Sequence, residues 1–274
     1  MKHYIPILSI AGSDCSGGAG IQADMKAISA LGGYAATAIT AITVQNTCGV
    51  QNVHPVPSEI VKGQIEAVME DIHPTAVKIG MVNDVEVIHV IAESIKKYMP
   101  PFIVFDPVMV STSGHKLIED NAIETIISEL IPLAHLITPN LKEAEVLCHT
   151  SISTIEDMKQ AARQLLKLGS QAVLLKGGHL DGNQMADILL THSHSEFYQF
   201  NSPKIESKNT HGTGCTLSSA IATLLAQGRS MPEAVRIAKE YVWNGILHGK
   251  DIKIGSGHGP LNHFHSPIAL KITE

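Results

Sequence analysis

Short apolar runs rich in Val, Ile and Ala alternate with longer amphipathic stretches along almost the whole chain. Each run is nearly continuous in hydrophobicity, which is typical of strands that helices cover on both faces in a parallel sheet. The runs predict strands at residues 5–10, 36–44, 76–81, 102–105, 135–138 and 172–176. The amphipathic stretches predict helices at residues 21–31, 58–69, 85–98, 122–131, 154–168, 213–227 and 232–248. We therefore expect an α/β fold with a central, mostly parallel sheet flanked by helices on both faces.

Local signals indicate where some of these elements begin and end. Ser58 and Thr154 are predicted to be helix N-caps, and Gly169 and Gly228 are predicted to follow helix ends. A weaker extended pair at residues 186–191 and 196–200 predicts an edge hairpin. No low-complexity linker, internal repeat or change in composition divides the 274 residues, so we expect a single domain over residues 1–274.

Composition and charge argue against several classes of partner. Hydrophobic residues make up 44% of the chain and charged residues 17%, which suits a folded core. No apolar run reaches the roughly 18 residues that a membrane span needs. The first residues are too soon broken by Gly, Ser and Asp to form a secretory signal. With a net charge of −6 and no cluster of basic residues, we expect no nucleic-acid partner, no membrane contact and a cytoplasmic location.

Cysteine and histidine spacing does not favour a structural metal site. The four cysteines are scattered without a CxxC pair, as expected for free thiols in a reducing compartment. The pairs His192/His194 and His263/His265 would each share a strand face if extended, but no third ligand lies nearby. We expect these histidines to face solvent.

Polar residues follow the predicted strands, at the sheet edge where ligands of open α/β sheets bind. Residues 11–24, AGSDCSGGAGIQAD, form a tight strand-to-helix turn that either contacts a ligand or only turns the chain. Asp106 suits Mg²⁺ or a turn cap. Asn140 and Glu143 have the spacing of a hydrated-cation site or of a plain capping box. Lys176 ends another strand, within reach of nucleotide phosphates at the same edge.

Residues 209–216, NTHGTGCT, give the strongest local signal because they lead directly into an apolar helix. Gly212 and Gly214 would expose backbone amides at the helix N-terminus, where a transferring phosphoryl group can bind. Cys215 falls in the first turn, where the helix dipole lowers the pKa of a thiol. A cysteine in such a place is nevertheless more often a small core residue.

Seven ordered blocks resemble the hydroxymethylpyrimidine/phosphomethylpyrimidine kinases of the ribokinase-like superfamily. They are AGSDCSGGAGIQADMK at 11–26, VQNT at 44–47, KIGM at 78–81, DPVM at 106–109, TPNLKEAE at 138–145, KGGH at 176–179 and HGTGCTLSSAIA at 211–222. The resemblance implies a ribokinase-like fold, Mg·ATP as phosphoryl donor and, from the family, a homodimer. It also implies two successive phosphorylations of 4-amino-5-hydroxymethyl-2-methylpyrimidine, to the monophosphate and then to the diphosphate, for thiamine biosynthesis. We find no insertion long enough for a separate lid domain.

Carried over by position, the resemblance gives each candidate residue a role. Gln45 is implied to read the pyrimidine, since an amide pairs with an amino group and a ring nitrogen together. The other implied substrate contacts are Gly12, Asp24, Val44, Met81 and Val108. The implied metal ligands are Asp106 and Glu143, the ATP-binding residues are Lys176, Asn140 and Thr213, and the catalytic group comprises Cys215, Gly212, Thr213 and Gly214. Many sugar-kinase relatives have Asp as general base where Cys215 stands, and the same exchange is familiar in pyrimidine kinases, so it supports the subfamily.

The nearest alternative is a pyridoxal or pyridoxine kinase of the same fold, whose substrate is also a hydroxymethyl-bearing heteroaromatic. Pyridoxal-acting relatives tend to lack the Gln-Asn-Thr block, so Gln45 favours the pyrimidine. An inactive ligand sensor should have lost the anion-binding glycines or the base, and these residues are present. Because the chain ends soon after the last block, we expect no fused thiamine-phosphate synthase.

Overall fold

The structure, a computed structural model, describes residues 2–109, 120–178, 184–192 and 194–273. Its strands are β1 (His3–Tyr4), β2 (Pro6–Asp14), β3 (Tyr34–Asn46), β4 (Gly49–Pro55), β5 (Ala76–Ile79), β6 (Phe102–Phe105), β7 (Leu136–Ile137), β8 (Ala172–Gly177), β9 (Gln184–Thr191), β10 (His194–Pro203) and β11 (Ile272–Thr273). β1 and β11 form a small antiparallel pair, and the others form one sheet in the order β10-β9-β8-β7-β6-β5-β2-β3-β4. The strands from β3 to β8 in this order are parallel, and antiparallel strands flank them at both ends. The predicted mostly parallel sheet is confirmed.

Helices cover both faces of this sheet. They are α1 (Gly20–Ala30), α2 (Ser58–Asp71), α3 (Val85–Tyr98), α4 (Asp120–Thr125), α5 (Leu141–Cys148), α6 (Ile155–Leu166), α7 (Thr213–Ala226) and α8 (Met231–Gly249). Successive strand residues point to opposite faces, so Ile7 packs with α1, α7 and α8, whereas Leu8 and Ile10 pack with α2 and α3. Two separate apolar cores result, one on each side of the sheet.

Most of the predicted elements are present, with ends shifted by a few residues, and the edge hairpin is confirmed as β9 and β10. Thr154 caps α6 as predicted, in a capping box with Asp157. Ser58 is not a cap, because Pro57 occupies that position and Ser58 is already helical. The predicted helix at 122–131 instead ends at Thr125 and continues as a π-helical turn and a 3₁₀ turn. Pro132, which has no backbone N–H to continue the α-helical ladder, lies in the latter turn.

Strand β4 is an element that the sequence did not predict. Its residues, GVQNVHP, are largely exposed at the sheet edge and therefore lack a continuous apolar run. β4 pairs antiparallel with the end of β3, from Ala41 to Asn46. This pairing fixes the backbone of β3 as far as Gln45, well beyond the buried part of the strand.

The chain direction brings the predicted site residues to one edge of the sheet. The carboxyl ends of β2, β6 and β8 lie there together with the N-terminus of α7, as expected for parallel strands. None of the helices in the described ranges is long and apolar enough to cross a membrane.

Candidate active site

A cavity of about 510 Å³ lies at this edge of the sheet. The turn after β2, the ends of β3, β6 and β8, and the first turn of α7 contribute its walls. The predicted site residues that line it are Gly12, Gln45, Met81, Asp106, Val108, Asn140, Glu143, Lys176, Gly212, Thr213, Gly214 and Cys215. Two further predicted residues, Asp24 and Val44, are not among its lining residues.

Val44 lies on the wrong face of β3 for contact with a molecule in the cavity. Side chains alternate along a strand, so Thr43 and Gln45 share one face and Val44 points to the other. The contact of 3.2 Å between Thr43 Oγ1 and Gln45 Oε1 confirms this arrangement, and Val44 is 52% exposed. The expectation that Val44 contacts the substrate is therefore corrected.

Asp24 lies beneath the cavity, in the core, instead of in its wall. Both carboxylate oxygens lie within 3.0 Å of Lys78 Nζ. The hydroxyl groups of Ser219 and Ser9 also donate to Asp24, at 2.7 and 2.6 Å. Asp24 and Lys78 are both fully buried, and the Asp24 carboxylate binds only groups of the protein itself among the described residues. The expectation that Asp24 contacts the substrate is therefore corrected. Burial would lower the pKa of Lys78, but the charge and hydrogen bond of Asp24, together with the other nearby acidic groups, outweigh burial and raise that pKa, so Lys78 is a fixed cation.

An ion pair between Lys176 and Asp106 occupies the centre of the cavity floor. Lys176 Nζ donates to Oδ1 of Asp106 at 2.8 Å, and the hydroxyl of Thr138 donates to the same oxygen at 2.8 Å. Burial would raise the pKa of Asp106, but the charges of Lys176 and Lys78 outweigh burial and lower it. Asp106 is therefore a carboxylate and Lys176 an ammonium group, next to the backbone of Gly214.

Asn140 and Glu143 form a complete capping box at the start of α5. Asn140 Oδ1 accepts from the N–H of Glu143 at 3.0 Å, and Glu143 Oε2 accepts from the N–H of Asn140 at 2.8 Å. Burial, together with the nearby Asp106 charge, raises the pKa of Glu143 to about 7 against the opposing effect of Lys176. Both side chains also line the cavity. Asn140 and Glu143 can therefore cap α5 and still contact a cation in the cavity.

The first turn of α7 is held open by glycine. Gly212 has a φ of +79°, and a Cβ at this position would overlap the carbonyl oxygen of Gly18, so only glycine fits. Among the described residues, no side chain caps this helix N-terminus. The amide of Thr213 donates to Thr210 O at 3.3 Å. Since the first amides of a helix have no partner within it, those of Gly214 and Cys215 suit an anion in the cavity.

His263 supports this turn from behind, contrary to the expectation that it faces solvent. It is 4% exposed, and its Nε2 lies 2.9 Å from Thr216 Oγ1. The hydroxyl of Thr216 donates to Gly212 O at 2.8 Å. Burial lowers the pKa of His263 to about 4, so the ring is neutral at pH 7 and donates from Nε2 to Thr216.

Cys215 lies half-buried at the cavity wall, and its thiol is largely protonated at neutral pH. Burial raises its pKa to about 11, helped by the charges of Asp24 and Asp106 and opposed by Lys78 and by a hydrogen bond from the Gly20 backbone. Position in the first helical turn favours a lowered pKa, and the burial of the thiol acts in the opposite direction. The dipole effect is small compared with the cost of burying a thiolate among two carboxylates.

Several cavity residues were missed in the sequence. Asp14 and His211 lie within recognised blocks but carry no local pattern that marks them, and Thr43 precedes one. The far end of the cavity is more apolar and lies against α8. Its walls there include Met185, Ser202, Val242, Trp243 and Ile246. Ser202 Oγ is buried there without a hydrogen-bond partner in the described part of the chain.

Comparison with known proteins places this geometry in a family. The family model described as phosphomethylpyrimidine kinase matches residues 14–262. The chain is 48% identical to a thiamine biosynthesis bifunctional protein of Geobacter sulfurreducens, over 94% of this chain and 52% of that protein. It thus spans about half the length of the bifunctional relatives that it matches. It is 47% identical to the hydroxymethylpyrimidine/phosphomethylpyrimidine kinase of Rhizobium meliloti, over 94% of this chain and 96% of that protein.

Solved structures agree with these matches. The phosphomethylpyrimidine kinase of Clostridium difficile 630 has 50% identity and a TM-score of 0.79, covering 88% of this chain and 99% of that one. The pyridoxal kinase of Staphylococcus aureus, in complex with AMP-PCP and pyridoxal, has 34% identity and a TM-score of 0.87, covering 99% of both chains. The ribokinase-like fold is therefore confirmed. By its family match and these identities, the chain belongs to the phosphomethylpyrimidine kinase family.

Proposed function

We propose that this protein transfers the γ-phosphoryl group of ATP to the hydroxymethyl group of 4-amino-5-hydroxymethyl-2-methylpyrimidine, and then phosphorylates the product to the diphosphate. One observation carries the proposal. The amide of Gln45 lines the same cavity as the Lys176–Asp106 pair and the open turn of α7. A group that reads an aminopyrimidine thus shares a cavity with groups that suit transferring phosphates.

The two ends of the cavity suit the two substrates. At the acceptor end, Gly12 leaves room for the end of the Met81 side chain, which a Cβ there would overlap, and both residues line the cavity. The end formed by Met185, Val242 and Trp243 suits a nucleobase, and the unpartnered Ser202 hydroxyl offers it a hydrogen bond. Phosphates that extend from this end would reach Lys176 and the amides of α7.

The residues present also fit Mg²⁺. Among the described residues, no three or more His, Cys, Asp or Glu side chains are grouped to hold a metal ion. Mg²⁺ bound to a nucleotide needs only one or two carboxylates, since phosphate oxygens and water complete its shell. Asp106 and Glu143 would hold it. Lys176 and Thr138 both donate to Oδ1 of Asp106, so the metal would bind the other oxygen, Oδ2. When bound, Mg²⁺ neutralises charge on the phosphates.

The transfer step needs positioning and charge stabilisation more than covalent help from the protein. The acceptor oxygen forms a bond to the γ-phosphorus, the bond to the β-phosphate oxygen breaks and releases ADP, and the hydroxyl proton passes to the thiolate of Cys215. Lys176 and the first amides of α7 stabilise the negative charge on the transferring group. In the second reaction the acceptor is already an ionised phosphate, so no proton needs to be removed at neutral pH.

Three further properties belong to this proposal. We propose that residues 1–274 act as one kinase domain and that the protein works in the cytoplasm, as a homodimer. The homodimer rests on the family resemblance. Sedimentation of the purified protein at micromolar concentration tests it, and a monomer at all concentrations would contradict it.

The activity is tested by offering the purified protein hydroxymethylpyrimidine, its monophosphate and pyridoxal in parallel, with Mg·ATP, and following ADP release. We expect both pyrimidines to be phosphorylated with a higher kcat/KM than pyridoxal. Faster turnover of pyridoxal would make the protein a pyridoxal kinase instead.

The first prediction concerns acceptor choice. Gln45→Ala should raise KM for hydroxymethylpyrimidine by about 10²-fold or more, because a site built to hydrogen-bond a substrate discriminates strongly. KM for ATP should change little. Gln51→Ala, at an exposed position on β4, is the matched control. Equal increases in both KM values would instead indicate a general disruption of the cavity.

The second prediction separates metal binding from capping at Glu143. Glu143→Gln removes the charge but keeps an oxygen that accepts from the Asn140 N–H, so the melting temperature should stay nearly constant. The kcat should fall by about 10²-fold, a size typical of lost charge stabilisation, and additional Mg²⁺ should restore part of it. Glu145→Gln on the same helix is the control. A lower melting temperature with normal kcat would leave only the cap.

A further inference from the structure

His211 joins two parts of the cavity wall that are far apart in the sequence. Its Nε2 lies 2.8 Å from Oδ2 of Asp14 and 3.2 Å from Nε2 of Gln45. The side chains of His211 and Asp14 are only 10% and 4% exposed. His211 therefore contacts the residue proposed to read the pyrimidine, within the cavity wall.

The imidazole ring of His211 has little freedom to move. The backbone N–H of His211 donates to Gly259 O at 3.1 Å, and the backbone of His211 pairs with Pro260 as an isolated bridge, so the main chain that carries the ring is fixed. On the other side the ring packs on Gly18, where a Cβ would overlap its Cδ2 atom. The ring thus presents Nε2 to Asp14 and Gln45 from a fixed place.

The contact with Asp14 determines that Nε2 is a ring nitrogen of His211 that carries a hydrogen. The carboxylate of Asp14 accepts from the N–H groups of Ser16, Gly18 and Ala19 and from the Ser16 hydroxyl, at 2.7 to 3.1 Å. Burial would raise the pKa of Asp14, but the hydrogen bonds from His211 and Ser16 outweigh it and lower the pKa to about 2. An ionised carboxylate only accepts hydrogen bonds. Nε2 of His211 must therefore carry a hydrogen.

This proton has a consequence for the amide of Gln45. The single hydrogen on His211 Nε2 is shared, more closely with Asp14 at 2.8 Å and more weakly with the Gln45 amide at 3.2 Å. An amide N–H beside this hydrogen would be repelled, whereas a carbonyl oxygen would be attracted. On the other side of the amide, the Thr43 hydroxyl lies 2.9 Å from Ser13 O and 3.2 Å from Gln45 Oε1. When the Thr43 hydroxyl donates to Ser13 O, the lone pairs on Thr43 Oγ1 accept from an N–H of the Gln45 amide. A half-turn of the amide puts the carbonyl on His211 and the nitrogen on Thr43, which satisfies both neighbours.

We propose that His211, held as an N–H donor by Asp14, is a positioning residue that sets the orientation of the Gln45 amide and thereby favours an aminopyrimidine acceptor. The proposal rests on the proposed function. In this orientation one N–H and one carbonyl lone pair of Gln45 remain for the acceptor's ring nitrogen and amino group.

A double-mutant cycle tests the proposal. His211→Phe keeps a ring of similar size and removes the donor. We expect Kd for hydroxymethylpyrimidine, measured by calorimetry, to rise about tenfold, which corresponds to one net hydrogen bond. KM for ATP should change by less than about twofold, and the preference over pyridoxal should shrink by about the same tenfold.

The Gln45→Ala background distinguishes positioning from a general structural role. There His211→Phe should weaken pyrimidine binding by less than about twofold, because its effect passes through Gln45. His211→Gln, which keeps an N–H donor, should recover most of the affinity of the unsubstituted protein. Multiplicative losses in the double variant, or equal losses of pyrimidine and ATP binding, would overturn the proposal.

Two arrangements keep the test decisive. If His211→Phe does not fold, Asp14→Asn serves instead, because its side-chain amide can donate to Nε2 and so reverse the direction of that hydrogen bond. If the unsubstituted protein phosphorylates only pyridoxal, the proposed function fails, and the same cycle is then measured with pyridoxal. Absence of coupling between His211 and Gln45 with the acceptor that is used would overturn the positioning role by itself.

Discussion

Replacing Cys215 by alanine should lower the rate of the first phosphorylation by about 10²-fold and the rate of the second by much less. A group that removes the acceptor proton contributes about 10²–10⁴-fold. The raised pKa of about 11 for Cys215 places the expected loss at the lower end, because few thiols are ionised at neutral pH. The second acceptor is an ionised phosphate and needs no base. Single-turnover measurements of both reactions check the prediction.

The pH dependence of the first reaction gives an independent check on Cys215. Thiolate forms as pH rises towards the pKa of about 11, so the first rate should increase between pH 7 and 9 in the unsubstituted protein and should not in Cys215→Ala. Cys215→Asp should restore part of the rate, since Asp fills this role in sugar-kinase relatives. Cys148→Ala, a half-buried thiol outside the cavity lining, is the control. Equal losses in both reactions would assign Cys215 to packing or to the anion site.

Replacing Lys176 by methionine should have the other large effect, on stability and on activity together. The kcat should fall by about 10²–10³-fold, as when one donor to a developing oxyanion is removed. The buried Asp106 carboxylate would also lose its closest cation. Breaking a buried ion pair costs about 3–5 kcal/mol, and we expect the lower end because Thr138 keeps its hydrogen bond to Asp106. Denaturant unfolding and steady-state kinetics measure the two effects.

The double variant Lys176→Met with Asp106→Asn separates these effects. It removes both charges, so stability should return to within about 1 kcal/mol of the unsubstituted protein. Activity should not return, since the phosphates would still lack the Lys176 cation and Mg²⁺ would also lose the Asp106 carboxylate. Lys62→Met, which breaks an exposed ion pair with Glu93, should change neither. Recovery of activity in the double variant would show that Lys176 acts only by neutralising Asp106.

Much of the architecture could be predicted from local patterns. Buried parallel strands are mostly apolar, so β6 and, apart from Lys78, β5 are visible in the sequence as short apolar runs. Strand β4 lacks such a run and was missed, because an exposed edge strand does not need apolar side chains on both faces. The strand ends also predicted the cavity edge, since parallel strands bring their carboxyl ends together.

The roles of cavity residues were predicted less well where a role depends on the direction in which the side chain points. The resemblance gave both Val44 and Gln45 a substrate contact, but alternation along β3 allows only one of them to face the cavity. Asp24 belongs to a recognised block, yet α1 turns it towards Lys78 in the core. In neither case was the direction of the side chain available from the pattern.

What the sequence alone determined is the order of strands and helices and the residue types that reach the cavity edge, because both follow from local periodicity and from short blocks. Only the tertiary structure decided the electrostatics. The raised pKa of Cys215 comes from its burial among charges on other elements. The pairing of Asp14 with His211 joins residues separated by 197 positions. Such effects depend on distances through space, and no local pattern contains those distances.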